Sequence, residues 1–452
     1  MESRRFVVMG AGEVGFHLAR SLSAEGHQVT VIELDRTRRE RVADELDASV
    51  VRGNGADLTV QEAAGVASCD LFLAVSSSDE ANLAASGLAR HLGARRCVVR
   101  VRSAHGIITH RRVYEKIFGA DLLLSTQLLT THRILNDIRG HNTMAIEYLA
   151  GGKVQLRKIH LDENSVLVRK PLRDVALPEG SLVVAYFRGE ELIIPSGDDS
   201  AKAGDDALIL GNEEVISRAE RAVTSSPREI GTVVIAGGGA TGFTVAQALD
   251  GLGARVKIIE QDYRRARVLA DQFPRFEIIQ GDATDDSLLR SERLDKARTF
   301  VALSGQDESN LMACLLAQDL GVSQVIPLVH RAERASLWRR MGLKQVFSPR
   351  MLAYDRIREY IDNGYSANIV SLQKGQAQAI ERRIDEASPV AGALLSEVDL
   401  PRGLIVGAVV RGENVFVPRG KDRLEAGDLL ILFAHKSEVD RLQLLFPGSD
   451  ER

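Results

Sequence analysis

GAGEVG at Gly10–Gly15 returns as GGGATG at Gly237–Gly242. Each copy follows a short apolar run and opens a helical pattern. An acidic residue follows each last glycine by 18 positions, Glu33 in the first half and Glu260 in the second. One such glycine motif is weak evidence. Two copies, each with its acid in place and each continued by matching sequence, point to two nucleotide-binding units. The glycines have a steric job. Gly10 and Gly12 permit a tight strand-to-helix turn and let backbone approach a pyrophosphate, while Gly15 lets the helix pack closely on the sheet; Gly237, Gly239 and Gly242 repeat the pattern. Phosphates would then sit at a helix N-terminus, whose N–H groups and dipole favour anions.

Working outward, apolar runs alternate with helical patterns. Strands are expected at Arg4–Met9, Gln28–Leu34, Val50–Arg52, Leu71–Val75 and Arg96–Arg102, and again at Thr232–Ala236, Val256–Ile259, Phe276–Ile279, Thr299–Leu303 and Gln324–Val329. That order gives a parallel, doubly wound sheet in each half. SSSDEANLAASGLARHLG (Ser76–Gly93) matches SGQDESNLMACLLAQDLG (Ser304–Gly321), so that Asp79, Glu80, Asn82 and Leu83 recur as Asp307, Glu308, Asn310 and Leu311. Asp79 and Asp307 read as helix N-caps. FGADLLLSTQLL (Phe118–Leu129) matches MGLKQVFSPRML (Met341–Leu352) and is read as helical. The stretch Ile117–Ile138, with Leu122–Leu124 and Leu128–Leu129, either joins neighbouring domains or packs on its own sheet.

A different unit follows each sheet. Val175–Leu210 matches Val398–Phe433 through Leu-Pro, Arg-Gly-Glu, Pro-x-Gly and Gly-Asp. Short β-branched runs between such turns indicate a small β-rich module. The expected fold class is α/β: two doubly wound parallel-sheet Rossmann units, each followed by a small α+β C-terminal module. The expected divisions are 1–140 (first Rossmann domain with crossover helix), 141–223 (first small module), 224–230 (linker, within the polar stretch TSSPREIG at Thr224–Gly231), 231–363 (second Rossmann domain) and 364–452 (second small module).

Composition narrows the function classes. With 452 residues the chain is too long for one core. A net charge of −4 gives no broad basic field for a phosphate backbone, and 5% aromatic content argues against stacking platforms, so nucleic acid is not an expected partner. Arginine-rich stretches at Arg36–Arg41 and Arg331–Arg340 are mixed with acids and read as solvated helix faces. Cys69, Cys97 and Cys314 show no metal-ligand spacing and read as buried thiols of a reducing cytosol. No apolar run reaches membrane-spanning length, which makes any membrane role peripheral.

The series GAGEVG, VIELD, RGNGAD, AVSSSDEANL and VVRVRS, repeated with variation, resembles the potassium-transport nucleotide-binding family, whose units are also called RCK domains. The resemblance covers nearly the whole chain. It implies binding of NAD(H), with ATP or ADP as further candidates. It also implies a cytoplasmic protein, peripheral on the cytoplasmic face of the inner membrane. There it would assemble beneath a membrane potassium pore subunit of the TrkH type and gate potassium entry. Self-association to a dimer or tetramer of Rossmann units would surround a symmetric pore.

The residues carry their own expectations. The glycine loops Gly10, Ala11, Gly12, Glu13, Val14, Gly15 and Gly237, Gly238, Gly239, Ala240, Thr241, Gly242 would cradle the phosphates. Glu33 and Glu260 would accept ribose hydroxyls and repel a 2′-phosphate, favouring NAD over NADP without separating NAD from ADP or ATP; Asp35 and Asp262 are the rival acids. After the third strand the second half has GDAT with Asp282, the family pattern, whereas the first has GNGA with Asn54. Ser76 and Ser77, with Ser304 as counterpart, lie where a dinucleotide crosses the sheet. Arg100 ends the fifth strand and is a natural pyrophosphate cation, while the second half has Pro327 and Leu328 in this region.

A dehydrogenase would share these units but needs a general acid or base beside the nicotinamide. The small modules offer His160, Glu163 and Tyr186, and Glu381, Asp385 and Glu386, with no pairing or repeat. No catalytic residue or metal site is therefore assigned. The expected function is a non-catalytic nucleotide-sensing regulator of potassium uptake. A soluble NAD-dependent oxidoreductase and a gating module of another cation system are the alternatives.

Overall fold

The computed structural model describes residues 3–102, 106–107, 110–139, 154–224, 230–251, 253–362, 369–372, 376–386, 388–412 and 414–446. The expected linker at 224–230 lies largely outside them. Like elements group together: Met1–Ile138 with Ile230–Arg358 form one compact unit, and Arg139–Glu229 with Glu359–Arg452 form another.

The first unit holds two parallel sheets. In the first half the strands are β1 (Arg5–Met9), β2 (Gln28–Glu33), β3 (Ser49–Arg52), β4 (Leu71–Ala74), β5 (Cys97–Val101) and β6 (Leu122–Ser125), in the order β3-β2-β1-β4-β5-β6. The order reverses between β2-β1 and β4, which opens a crevice at the carboxyl ends of β1 and β4. Strands β1 and β4 are buried nearly throughout, as a sheet covered by helices on both faces requires.

One expectation needs correction. Leu122–Ser125 is not helical: it is β6, fully buried and paired parallel to β5 from Val98↔Leu122 to Val101↔Ser125. A four-residue apolar run inside a covered sheet carries no period to distinguish it from a buried helix turn. The crossover helix begins only at Thr126 and runs to Arg139. Its Ile134 and Ile138 belong to a core cluster with Val233, Val245, Leu249 and Phe347 of the second half, so this segment joins the two halves rather than packing on its own sheet alone.

In the second half the small module of the first intervenes before the sheet resumes. Strands β7 (Gln155–His160), β8 (Leu182–Arg188), β9 (Glu191–Ile193) and β10 (Asp206–Gly211) belong to that module. The second parallel sheet is built from β11 (Thr232–Ala236), β12 (Arg255–Glu260), β13 (Glu277–Gln280), β14 (Thr299–Ala302) and β15 (Gln324–Pro327), in the order β13-β12-β11-β14-β15. The first sheet's order is thus repeated, and a bridge Leu328↔Phe347 stands where a sixth strand would pair.

The second unit holds two antiparallel sheets, β7-β10-β8-β9 and β16-β17-β20-β18-β19, the latter from β16 (Ile369–Leu372), β17 (Ala377–Arg383), β18 (Leu404–Arg411), β19 (Asn414–Phe416) and β20 (Leu429–His435). One apolar cluster draws on both sheets, with Leu156, Val184 and Phe187 beside Ala377, Ile431 and Phe433. The motifs repeated in the sequence have a structural cause. Arg188 of Arg-Gly-Glu binds buried Asp205 of Gly-Asp through two bonds of 3.0 and 2.8 Å, and Arg411 binds buried Asp428 at 2.8 and 2.7 Å. Such paired forks satisfy a carboxylate that burial would otherwise penalise.

Packing sorts the glycines of the first loop. A Cβ on Gly15 would lie 1.8 Å from Gly10 O, whereas a Cβ on Gly12 would meet only Arg38 Nη1 at 3.9 Å. Gly15→Ala should therefore destabilise the first unit by about 3 kcal/mol. Gly12→Ala should stay within about 1 kcal/mol of the parent, the cost of losing a glycine N-cap. Thermal or denaturant unfolding of the two variants checks the contrast.

Candidate nucleotide site

Strand β1 stops at Gly10, whose φ of +99° turns the chain sharply out of the sheet. A Cβ there would sit 2.8 Å from Ser76 Cα, so glycine also lets the loop lie against the end of β4. The helix Glu13–Ala24 starts at once, with Gly12 as its N-cap. Glycine has no side chain to satisfy first-turn amides. Side chains do cap helices elsewhere in the same sheet domain: Asp35 accepts from Arg38 N, Asp57 from Thr59 N and Ser78 from Ala81 N. The second loop repeats the geometry: Gly237 has φ +103°, a Cβ on Gly242 would lie 2.0 Å from Gly237 O, and one on Gly239 would meet no described atom within 4 Å.

Glu33 closes β2 and is buried. Its Oε2 accepts from Ala11 N at 2.6 Å, and its Oε1 accepts from Leu34 N at 2.8 Å and Asp35 N at 2.9 Å. Glu260 does the same, accepting from Gly238 N at 2.6 Å and Asp262 N at 2.9 Å. Each acid therefore pins its glycine loop. A carboxylate offers about four lone-pair sites, so Glu33 retains roughly one for a ribose hydroxyl in this state. The rivals Asp35 and Asp262 are helix caps, bonded to Arg38 N at 2.9 Å and Arg265 N at 2.7 Å.

An arginine five residues after each acid completes this corner, and the sequence reading did not single it out. Arg38 Nη1 lies 4.0 Å from Glu33 Oε2, and Arg265 Nε donates to Gly238 O at 2.7 Å. Asn54 and Asp282 are both exposed and both fold their own turn, accepting from Ala56 N at 3.1 Å and Thr284 N at 2.8 Å.

The far side of the crevice is organised by a residue known from the sequence only as a recurrence. Asn82 is fully buried. Its Oδ1 accepts from Ser76 N at 3.0 Å and Ser76 Oγ at 2.6 Å, and its Nδ2 donates to Ser76 O at 3.0 Å and Arg100 O at 2.7 Å. Asn310 repeats the clamp on Ser304 N at 2.8 Å, Ser304 O at 3.0 Å and Leu328 O at 3.0 Å. The clamp identifies Leu328 as the counterpart of Arg100. Ser77 is exposed at the crevice mouth.

Asp79 and Asp307 are not N-caps. Ser78 caps the helix Asp79–Leu92, while Asp79 accepts from Arg102 N at 2.9 Å. Asp307 accepts from His330 N at 2.7 Å and Arg331 N at 3.2 Å. Both acids sit in the first helical turn and are recruited by the loop after the fifth strand.

Arg100 lies over the crevice. Its Nη1 donates to Val75 O at 3.2 Å and Ser76 O at 3.3 Å, and its buried Nε has no hydrogen-bond partner among the described residues. Burial, with the nearby charge of Arg350, lowers its affinity for its proton. In the second half, where leucine replaces this arginine, His330 Nε2 lies 3.1 Å from Ser304 O and takes up that carbonyl when protonated there. Glu13, expected to face phosphate, is held by the second half instead: Ala332 N donates to its Oε1 at 2.8 Å and Arg350 Nη1 to its Oε2 at 2.7 Å. Gly10, Ala11, Gly12, Glu33, Ser76 and Arg100 thus border one crevice, and Gly237, Gly238, Gly239, Glu260 and Ser304 border its repeat. Val14 and Gly242 are buried in the packing of their helices, and Ala240 and Thr241 begin the second helix. Of the residues offered for catalysis, Tyr186 is buried in the core of the second unit, and His160 pairs with Asp206 at 2.8 Å on an exposed strand end.

Fold and site define a class: a tandem of Rossmann units with twinned glycine loops, each unit joined to a small antiparallel module. Comparison narrows it. The TrkA-N domain matches residues 6–126 and 233–349, and the TrkA-C domain matches residues 156–224 and 379–446. The chain belongs to the TrkA family of potassium uptake proteins. It is 31% identical over 442 residues to the Trk system potassium uptake protein TrkA homolog of Archaeoglobus fulgidus, covering 98% of this chain and 100% of that one. It is 28% identical to the Trk system potassium uptake protein TrkA of Haemophilus influenzae, covering 98% and 99%. Among solved structures, the fold resembles the GsuK RCK domain with a TM-score of 0.62 at 16% identity, covering 98% of this chain and 95% of that one. The GsuK channel bound to NAD gives a TM-score of 0.61 at 17% identity, covering 98% and 79%. Among the described residues no helix is long and apolar enough to cross a membrane.

Replacing Asn82 by alanine removes the acceptor of the Ser76 amide and a donor to the carbonyls of Ser76 and Arg100, the former keeping Arg100 Nη1, at a cost of about 2–3 kcal/mol. Hydrogen exchange should show the Ser76 amide losing protection while the amides of β1 keep theirs.

Proposed function

We propose that the chain is a non-catalytic, nucleotide-sensing regulatory subunit. It binds NAD(H), with ATP or ADP as rival ligands of the same crevice, and gates a membrane potassium uptake pore of the TrkH type. The observation that carries the reading is the state of Gly12 and Gly239. Gly12 has φ −67° and ψ −176°, ordinary for any residue, and a Cβ at either position meets almost nothing of the protein. Neither backbone strain nor packing calls for glycine there. The approach of a bulky group to the backbone does, at the amide end of a helix where a pyrophosphate is favoured.

Charge supports the same assignment. Arg100 is a mostly buried cation beside Ser76, and its guanidinium is suited to pair with an anion in the crevice. Glu33 and Glu260 would meet a 2′-phosphate with like charge, which favours NAD(H) over its phosphorylated form. The tandem fold is that of the GsuK channel bound to NAD, and the relatives are named for potassium uptake. A ligand that binds one arrangement of the paired units better than another shifts their balance, and that shift would be passed to the pore. Residence on the cytoplasmic face beneath the pore, in a self-associated assembly of Rossmann units, fits this role.

The test is calorimetric titration of the full chain with NADH, NAD, NADPH, ATP and ADP, with absorbance at 340 nm followed in the reduced-cofactor runs. Saturable binding of NADH without its consumption is expected, with NADPH weaker. Gly12→Ala and Arg100→Ala should each weaken the first site about 10-fold or more, as the loss of a charge-assisted bond implies for arginine. Steady oxidation of NADH with a carbonyl substrate would overturn the reading in favour of an oxidoreductase.

A further inference from the structure

Glu13 opens the Glu13–Ala24 helix, at the end whose amides face the crevice. A carboxylate there occupies ground that the helix dipole offers to a phosphate, and it carries the same sign of charge. Its side chain is only 13% exposed, and both its oxygens are taken by the other half of the chain. Ala332, which opens the short 3-10 helix Ala332–Arg334 after β15, donates to one, and Arg350, in the first turn of the helix Pro349–Asp362, pairs with the other at 2.7 Å. Arg350 also stands close enough to Arg100 to disfavour the latter's proton.

The arrangement is reciprocal. In the internal match of FGADLLLSTQLL with MGLKQVFSPRML, Gln127 falls opposite Arg350, and in the glycine motifs Ala240 falls opposite Glu13. Gln127 Nε2 donates to Ala240 O at 2.7 Å and to Thr244 Oγ1 at 2.6 Å. Each crossover helix therefore uses the same position to hold the start of the opposite half's glycine-loop helix. The hold is neutral in one direction and ionic in the other.

We propose that Arg350 is a positioning residue for the first nucleotide site: it neutralises Glu13 and holds it off the phosphate position, so that the second half sets the affinity of the first. The proposal rests on the first glycine loop being a nucleotide site. A repulsive carboxylate at that site is harmless only while its partner from the other half is in place. Any movement of the second half that withdraws Arg350 therefore lowers affinity at the first. By linkage, phosphate bound at the first site favours the arrangement that keeps Arg350 there.

A double-mutant cycle in the full chain tests this, using NADH as the probe. The phase of the isotherm that Glu33→Arg removes is assigned to the first site. Arg350→Gln should weaken that phase about tenfold and leave the other phase unchanged, which also reports intact folding of a half-exposed position. Glu13→Gln should bind as tightly as the parent or more tightly. Glu13→Gln/Arg350→Gln should return to within about threefold of the parent. The deficit of Arg350→Gln should shrink as salt rises, as for repulsion between partly exposed charges. A merely structural tie between halves predicts instead that the double variant is as weak as Arg350→Gln, and that result overturns the proposal. So does a loss of affinity in Glu13→Gln, or no change in Arg350→Gln. If the parent binds NADH and the cycle fails, only this proposal falls; if the parent binds no nucleotide, the functional reading falls with it.

Discussion

The carbonyl of Gly10 and the Cα of Gly15 leave no room between them for a side chain, and the same is true of Gly237 and Gly242. That contact presses the first turn of a helix onto the end of the central strand. The helix amides are thereby aimed into the gap where the sheet order reverses. Glu33 and Glu260 then fasten the loop from one side by accepting from the residue after the first glycine. Asn82 and Asn310 fasten the opposite wall by spanning the ends of the fourth and fifth strands. Hydrogen-bonded polar side chains of this kind fix geometry more than they add stability, and these four are placed where geometry matters.

Duplication kept this frame and altered what faces the crevice. Leucine stands at 328 where the first half has Arg100, and His330 takes over contact with the serine carbonyl that the arginine makes in the first half. A histidine contact depends on its tautomer, whereas an arginine is always a cation, so the two crevices present different charge to an anion. Glu13 against Ala240 and Arg350 against Gln127 extend the asymmetry to the contacts between halves. The tie between halves is ionic at the first crevice and neutral at the second. This supports reading the pair as a sensor with one principal site.

Much of the frame was legible in the sequence because its signals are local. The glycine spacing, the acids 18 positions on and the helix Asp79–Leu92 need only neighbouring residues to be recognised. Where the reading failed, the deciding partner was distant in the chain. Leu122–Ser125 is a strand because β5 lies beside it, and its four apolar residues carry no alternation to announce that. Asp79 follows three serines, and the cap went to Ser78 because the backbone at Arg102 claimed the aspartate. Glu13 looked like part of a phosphate loop, and nothing near it in sequence points to Arg350. The recurrence of Asn82 as Asn310 was visible, but a recurrence alone does not say which bonds a side chain makes.

On the proposed reading, nucleotide in these crevices controls potassium entry through a membrane pore subunit. The most direct measurement is potassium flux into vesicles carrying that pore subunit, with and without this protein, at fixed potassium gradient and varied NADH and ATP. Nucleotide should change the flux severalfold only when the protein is present. A flux that the protein alters equally with and without nucleotide would contradict the account, as would a nucleotide effect that persists in its absence.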